Sequence, residues 1–346
     1  MSDEKPLKGI ERERVTQWLA EKLPRAAPPF AFRLIAAGGS NLTYRVEDAH
    51  GGAFILRRPP VAGALATAHD MGREWRIMHA LGAHAPQVPV PAMLAFCDDP
   101  AVTGAPFYVM EFVDGLILRD RAGAADMDAA ACRAAMRSLV ATQAAFHTLD
   151  PAAVGLGDLG KHEGYVARQL SRWRRQVEAS KTRDLPLLGQ LHERLSAGIP
   201  PETRRAGLAH GDYRFDNTVL GPDHRVRAVL DWELCTIGDP VADFFWSLMY
   251  WAEPEDEISF LPDPPTRLPQ FPRRAEVVAC YEEITGQALP HAAFYTAFGW
   301  WKQACIVEGV YARLVKGASG GMKTAPPEQV ARIVERYLER AASALA

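Results

Sequence analysis

Leu208-Ala209-His210-Gly211-Asp212-Tyr213-Arg214-Phe215-Asp216-Asn217, followed by Leu230-Asp231-Trp232-Glu233 and Gly238-Asp239-Pro240, decides how the rest of the chain is read. Transfer of a phosphoryl group to an alcohol needs a carboxylate to orient the hydroxyl and accept its proton. It also needs oxygen ligands that hold Mg²⁺ against the phosphates. Asp212 suits the first role, and Asn217, five positions on, suits the second. A further metal-binding Asp is expected at the end of a hairpin. Asn217 to Leu220 and Arg225 to Leu230 are apolar enough to be strands, with Gly221-Pro222-Asp223-His224 as the turn. A pairing centred on His224 sets Asn217 opposite Asp231, and a tighter turn leaves the two a few residues apart at the same open end. Taken singly, Asp and Asn at turns are backbone caps and Gly-Asp-Pro is a common turn. Strand, loop and hairpin in this order reverse that balance.

The run H-G-D-Y-R-F-D-N, then L-D-W-E, then G-D-P-V-A-D resembles the signature of the aminoglycoside phosphotransferase family, whose kinase-like fold also includes choline kinases. The Tyr-Arg after Asp212 and the upstream Leu56-Arg57-Arg58-Pro59-Pro60 are similar to the kinase-like domain fused to, or encoded beside, certain acyl-CoA dehydrogenases. The resemblance implies an α+β chain with a bilobal protein-kinase-like fold: a small antiparallel sheet as N-lobe and a larger helical C-lobe. Residues 1–113 would be the nucleotide-binding lobe and residues 114–346 the catalytic and acceptor-binding lobe, with ATP and Mg²⁺ as cofactors in the cleft. Asp212 would deprotonate a small-molecule alcohol, Arg214 would neutralise the transferred group, and Asn217 and Asp231 would bind the metal.

The order of the chain follows this pattern. Val15, Trp18, Leu19 and Leu23 have helical spacing over residues 10–23, and prolines end that helix. Strands are expected at Phe32 to Ala36, Leu42 to Val46 and Ala53 to Arg57. Between the first two, Gly38-Gly39-Ser40-Asn41 forms a turn whose backbone amides suit a phosphate, although most such stretches are plain hairpins. The kinase Lys of the third strand is replaced here by Arg57, a planar fork rather than a point charge. Glu74, in the helical pattern from His69 to Leu81, is its natural partner. Two further strands, Ala92 to Phe96 and an apolar run from Phe107 that ends in a turn at Gly115, lead to the lobe boundary near Asp114. The resemblance implies that the backbone of Met110, Glu111, Phe112 and Val113 holds the adenine edge.

Beyond Asp114 the pattern is helical: Met127 to Thr148, Lys161 to Val177, Leu187 to Ser196, a helix opening at Pro240, Phe294 to Lys316 and Glu328 to Leu345. The second of these is basic at Arg168, Arg172, Arg174 and Arg175, which reads as a solvated face or as a complement to an anionic acceptor such as a CoA ester. Asp239 and Asp243 read as caps, with Asp239 also within possible reach of the metal shell. The Pro-rich acidic stretch from Glu253 to Pro272 reads as a substrate-side flap or a loose surface loop. Trp300, Lys302, Glu308, Tyr311 and Arg313 recur at turns that suit an acceptor pocket, the aromatics suiting the core equally.

The whole composition sets outer bounds. The chain has 346 residues, 48% of them hydrophobic, and a net charge of −3 without a long basic block, so neither disorder nor dedicated nucleic-acid binding is expected. Five scattered cysteines without a C-x-x-C pair read as reduced thiols. With a charged start and no run near the ~20 apolar residues that span a bilayer, the expectation is a soluble, cytoplasmic protein without a membrane partner. Oligomeric state is left open. The acceptor reads as a hydroxyacyl-CoA, or alternatively as an aminoglycoside or choline-type alcohol. A non-catalytic nucleotide-binding module is the competing class. A metal hydrolase built on His210, Asp212, Asp231 and Asp239 is disfavoured because no second His has ligand spacing.

Overall fold

In the computed structural model, residues 7–37, 41–61, 70–202, 204–317 and 325–346 are described. In chain order the elements are α1 (Arg12–Lys22), β1 (Ala31–Ala37), β2 (Leu42–Glu47), β3 (Ala53–Arg58), α2 (Met71–His84), β4 (Met93–Cys97), α3 (Pro100–Thr103) and β5 (Phe107–Glu111). Then come α4 (Ala129–Thr148), α5 (Tyr165–Ser180), α6 (Pro186–Ala197), β6 (Gly207–Ala209), β7 (Thr218–Leu220), β8 (Val226–Val229) and β9 (Thr236–Gly238). The chain closes with α7 (Pro240–Leu248), α8 (Arg274–Thr285), α9 (Ala292–Val315) and α10 (Pro327–Ala344). A small antiparallel N-terminal sheet with a mostly helical remainder is the α+β arrangement expected from the sequence.

The chain divides into two compact units. The first comprises Met1–Leu118, Ala152–Leu156 and Phe215–Cys235, and the second Arg119–Pro151, Gly157–Arg214 and Thr236–Ala346. The first unit is organised by a five-stranded antiparallel sheet in the order β1-β2-β3-β5-β4. Alternation places Leu42, Tyr44 and Val46 of β2 inward, where they join Val15, Trp18 and Leu19 of α1 and Phe107 and Val109 of β5 in one core. The central strand β3 is buried almost throughout, and its last two residues are Arg57 and Arg58. A charged pair at the end of a central strand needs partners, because burying an unpaired charge is costly.

The β7–β8 hairpin belongs to the same unit. Thr218 faces Val229, and the Leu230 N–H donates to the Asn217 carbonyl at 2.9 Å. Asn217 therefore lies opposite Leu230, and Asp231 stands one residue beyond it. The pairing is one residue tighter than a turn centred on His224 requires, because the turn closes with Gly221 N–H on the Arg225 carbonyl; the bulge between Val219 and Leu220 takes back one of the two residues this costs. His224 occupies the left-handed region, φ 58°, and its N–H closes the turn on the Gly221 carbonyl.

In the second unit, α9 and α10 pack along each other, α5 and α7 pack on α9, and α4 lies beside α8 and β6. Two features were not legible as periodicity. Strands β6 and β9 have three residues each, too few to show alternation. Helix α8 buries only Val277, Cys280 and Tyr281 among charges, so its apolar stripe is thin. The stretch from Glu253 to Pro272 is neither helix nor strand apart from a 3-10 turn at Pro265–Arg267, yet it is not loose. Arg274 is ion-paired with Asp256, its N–H donates to Glu253 at 2.8 Å, and Pro264, Pro265 and Thr266 are buried.

Gly207 of β6 packs against the backbone of α4 at His147. A Cβ at this residue would meet the His147 carbonyl oxygen at 2.2 Å and its carbon at 2.9 Å. Both atoms are helix backbone and have no rotamer through which to retreat. Gly207→Ala is expected to lower unfolding free energy by about 3 kcal/mol, the upper end of overpacking costs, read as a shifted urea midpoint at unchanged m-value.

Candidate active site

The first unit supplies a buried cation bridging carboxylates. Arg57 is 9% exposed, and its guanidinium binds Asp231 at 2.7 Å and approaches Glu74 of α2 at 3.5 Å and Glu233 at 3.9 Å. Trp232 explains why Asp231 and Glu233 point the same way: its indole is fully buried, and Nε1 donates to the Val229 carbonyl at 3.1 Å. The two acids flank that anchor, and Asp231 takes a left-handed backbone, φ 63°, which short polar side chains tolerate. Glu233 also accepts from the Asn41 amide at 3.1 Å, a contact the sequence reading did not assign.

Burial opposes the charge on Arg57, but Tyr108, Glu74 and Asp231 more than offset this, so its pKa is raised and it stays charged. Glu74 is 0% exposed, and burial pushes its carboxyl up to about 7 against the pull of Arg57. Neither Glu74 oxygen has a hydrogen bond of good geometry, and the Arg57 guanidinium and the Tyr108 hydroxyl are the groups that favour its charge.

Of the residues expected at the nucleotide, Gly38, Gly39 and Ser40 lie outside the described residues. Asn41 is buried, and its carbonyl oxygen has no hydrogen-bond partner. Met110 and Glu111 are committed to the sheet, Met110 pairing with Ile55 and Met93 and Glu111 with Phe54. Phe112 and Val113 follow the strand without a ladder partner, and the Phe112 ring carries the Arg45 guanidinium 4.5 Å from its centroid. Asn217 is 8% exposed at the end of a 3-10 turn, and the Asp231 side chain is 28% exposed. A carboxylate and an amide, both oxygen donors with no Cys or His beside them, suit a hard cation such as Mg²⁺ that completes its shell with water and phosphate. Among the described residues no cluster of three or more His, Cys, Asp or Glu has metal-site geometry.

The second unit presents Asp212, and the residue that shapes its loop is Asp243. Its carboxylate, 1% exposed, accepts the N–H groups of His210 at 3.1 Å and Gly211 at 2.9 Å, and also meets His147 Nε2 at 3.0 Å. His147 Nδ1 in turn lies 2.7 Å from the Tyr281 hydroxyl, so Nε2 carries the proton given to Asp243 and Nδ1 accepts from the phenol. Burial works to raise the Asp243 pKa, but the hydrogen bond from His147, the nearby His210 and the Gly211 N–H reverse this and hold it below the ordinary value. Gly211 sits at φ 83°, where a side chain would be strained. The next residue, Asp212, donates its N–H to His210 Nδ1 at 3.3 Å, and its carboxylate forms an ion pair with Arg214 Nε at 3.2 Å. Arg214 also covers the Tyr250 ring at 5.0 Å. Asp239 caps α7 through Val241 N–H at 2.8 Å and accepts from the Tyr295 hydroxyl at 2.9 Å, which accounts for both of its oxygens.

Asp243 was expected to stabilise a loop by capping, whereas the sequence reading gave no role to His147 or Trp246. The Trp246 indole donates to the Gly211 carbonyl at 2.8 Å, and its ring lies 3.6 Å beneath the Lys302 ammonium. Of the other α9 residues considered for a pocket, Glu308 and Tyr311 are occupied by Arg183, at 2.7 Å and 4.5 Å. Trp300 packs on Phe260 and Tyr337 at 5.1 and 5.2 Å. On the basic helix α5, Arg174 pairs with Glu178 and Arg168 donates to the Lys161 carbonyl, so two of its four arginines serve the helix itself.

The phosphotransferase enzyme profile matches residues 31–273. The chain belongs to that family. It is 33% identical over 342 residues to acyl-CoA dehydrogenase family member 11 of Gallus gallus, an alignment covering 95% of this chain and 43% of the relative. The chain thus spans less than half the length of that relative. Among solved structures, a Ralstonia eutropha JMP134 protein provisionally assigned as an aminoglycoside phosphotransferase superposes with a TM-score of 0.78 at 32% identity, covering 96% of this chain and 98% of its own. A thermostable mutant of aminoglycoside phosphotransferase APH(4)-Ia, in ternary complex with ADP and hygromycin B, has a TM-score of 0.61 at 13% identity, with 95% and 97% covered. That likeness concerns the fold alone. Family and neighbours support a kinase-like phosphotransfer activity on small molecules, and among the described residues no helix is long and apolar enough to cross a membrane.

Two outcomes test this electrostatic reading. Arg57→Met leaves Glu74 buried beside no cation and is expected to cost about 3–5 kcal/mol in unfolding free energy, with Arg57→Met/Glu74→Gln recovering much of the loss. Lys302 is 8% exposed, and burial lowers its pKa from 10.5 to about 8. The unfolded chain therefore binds the extra proton between those values, so stability rises with pH across that window and the cost is complete below it. Lys302→Met is expected to raise unfolding free energy at pH 7 by about 3 kcal/mol and to flatten the slope between pH 8 and 10.5, as followed by urea titration at several pH values.

Proposed function

We propose that the chain is an ATP- and Mg²⁺-dependent phosphotransferase that moves the γ-phosphoryl group to a hydroxyl of a small molecule, and that this molecule is a hydroxylated acyl compound such as a hydroxyacyl-CoA. The observation that carries the first half is the Arg57 bridge, in which one buried guanidinium is shared by Glu74 from the neighbouring helix and Asp231 from the hairpin. In kinases a Lys–Glu pair on the same two elements steadies the α- and β-phosphates. Arg57 keeps the charge and offers a planar, two-pronged contact instead. Asn217 and Asp231 would hold the metal, whose chemistry is to neutralise charge on the phosphate oxygens.

Asp212 orients the acceptor hydroxyl and accepts its proton. A carboxylate ionised at neutral pH is a weak base, so its contribution is mainly directional. Arg214, paired with that carboxylate, limits its rotation and adds positive charge beside the attacking oxygen. The acyl character of the acceptor is supported by relatives named as acyl-CoA dehydrogenase family members, and by the cations and aromatic rings near Asp212 in its own unit. A site for polyamine sugars would instead need carboxylates facing the acceptor. The Arg in place of the kinase Lys favours one other reading, a nucleotide-binding module without turnover.

Asp212→Asn separates the two. It is expected to reduce phosphoryl transfer at least about 1,000-fold while Mg-ATP affinity, read by calorimetry, stays within about 3-fold. A panel of hydroxyacyl-CoA, choline and kanamycin-type acceptors, followed by ADP release, identifies the acceptor class. No product from any of them, with Mg-ATP still bound, would establish the binding module.

A further inference from the structure

Lys302 is a buried cation without a carboxylate partner among the described residues. Its ammonium makes no hydrogen bond or ion pair with any described residue, and its contact is the face of Trp246 at 3.6 Å. A ring face supplies only part of what a desolvated ammonium loses in water. The charge is felt by Asp243, Arg172 and Asp212 without any of them reaching it. Asp243, the only buried carboxylate of the three, has its oxygens committed to His147, His210 and Gly211. A methionine would pack on the same ring at no electrostatic cost. A lysine in this position costs stability that a methionine would not, and what it offers in exchange is charge and N–H donors.

Its position indicates what it would meet. Trp246 is hydrogen-bonded to the Gly211 carbonyl, so the ammonium is registered against the backbone that carries Asp212. Nearby, Arg214 lies over Tyr250. Phe260 contacts both Trp246 and Tyr250 at 5.8 Å, and Trp300 extends the apolar surface. The combination is an ammonium with donors to spare beside an aromatic wall.

We infer that Lys302 is a specificity-determining residue that binds an acyl oxygen of the acceptor, a carboxylate or a thioester carbonyl, while the aromatic wall takes the adjoining hydrocarbon chain. This rests on the phosphotransferase reading only for the fate of the hydroxyl, and the binding itself does not require turnover.

The test measures binding and turnover separately. Medium-chain hydroxy fatty acids with varied hydroxyl position, their CoA thioesters, and the unhydroxylated acid and thioester are titrated against wild type, Lys302→Met and Lys302→Arg by tryptophan fluorescence without nucleotide. KM and kcat are then taken with Mg-ATP. Wild type is expected to bind the acyl probes saturably and not choline or kanamycin. Lys302→Met is expected to weaken binding and raise KM by about 30-fold with kcat changed by less than about 3-fold, and Lys302→Arg to restore most of the affinity. Tighter binding of acids assigns the oxygen to a carboxylate, and tighter binding of thioesters to a carbonyl. If wild type binds no acyl probe, or Lys302→Met binds as the parent does, the inference falls. Lys302-dependent binding without phosphorylation of any probe overturns the proposed function and leaves this inference standing.

Discussion

A single carboxylate, that of Asp243, holds the 208–214 loop in shape. It is removed from water and could not remain charged there without donors. Two come from successive backbone N–H groups, His210 and Gly211, and one from the His147 imidazole, itself oriented by Tyr281. Two adjacent amides can point at one carboxylate only if the backbone turns sharply, and the positive φ of Gly211 provides that turn. Asp212 is delivered by this geometry. Its direction is therefore set by a residue on α7, a histidine on α4 and a phenol on α8, none of which is part of the motif that identifies the loop.

Two buried cations, one in each unit, show opposite solutions to the same problem. Arg57 is surrounded by Asp231, Glu74 and Glu233, and its charge is favoured in spite of burial. Lys302 has a π face in place of a carboxylate, and burial lowers its pKa. The first arrangement suits a group that must stay charged and geometrically fixed while phosphates bind. The second leaves hydrogen-bonding capacity unspent, as a ligand-binding cation requires.

Much of this was legible in the chain. Helices of three or more turns with a strong apolar stripe, and strands with alternating burial such as β2, were placed to within a few residues. Arg57 and Glu74 were paired on the strength of their elements, and the structure sets them 3.5 Å apart. What was missed has a common cause. Three-residue strands carry no period, α8 buries too few residues to show a stripe, and Asp243 looked like one more N-terminal helix acid. In the β7–β8 hairpin the tight turn left Asp231 one place beyond the residue facing Asn217 even after a bulge recovered one residue, and a bulge arises from packing and leaves no compositional trace.

By itself the sequence determined the fold class and the family, because periodicity and motif spacing are local properties of the chain. Tertiary structure alone decided which carboxylates are spent on the backbone and which remain for a ligand, since Asp239, Asp243 and Glu233 look alike in the sequence and differ only in what surrounds them. It also turned Lys302 from one polar residue on an aromatic helix into a buried charge set on the face of Trp246. The physical reason is that desolvation and pairing depend on neighbours distant in the chain, as Lys302 and Trp246 are.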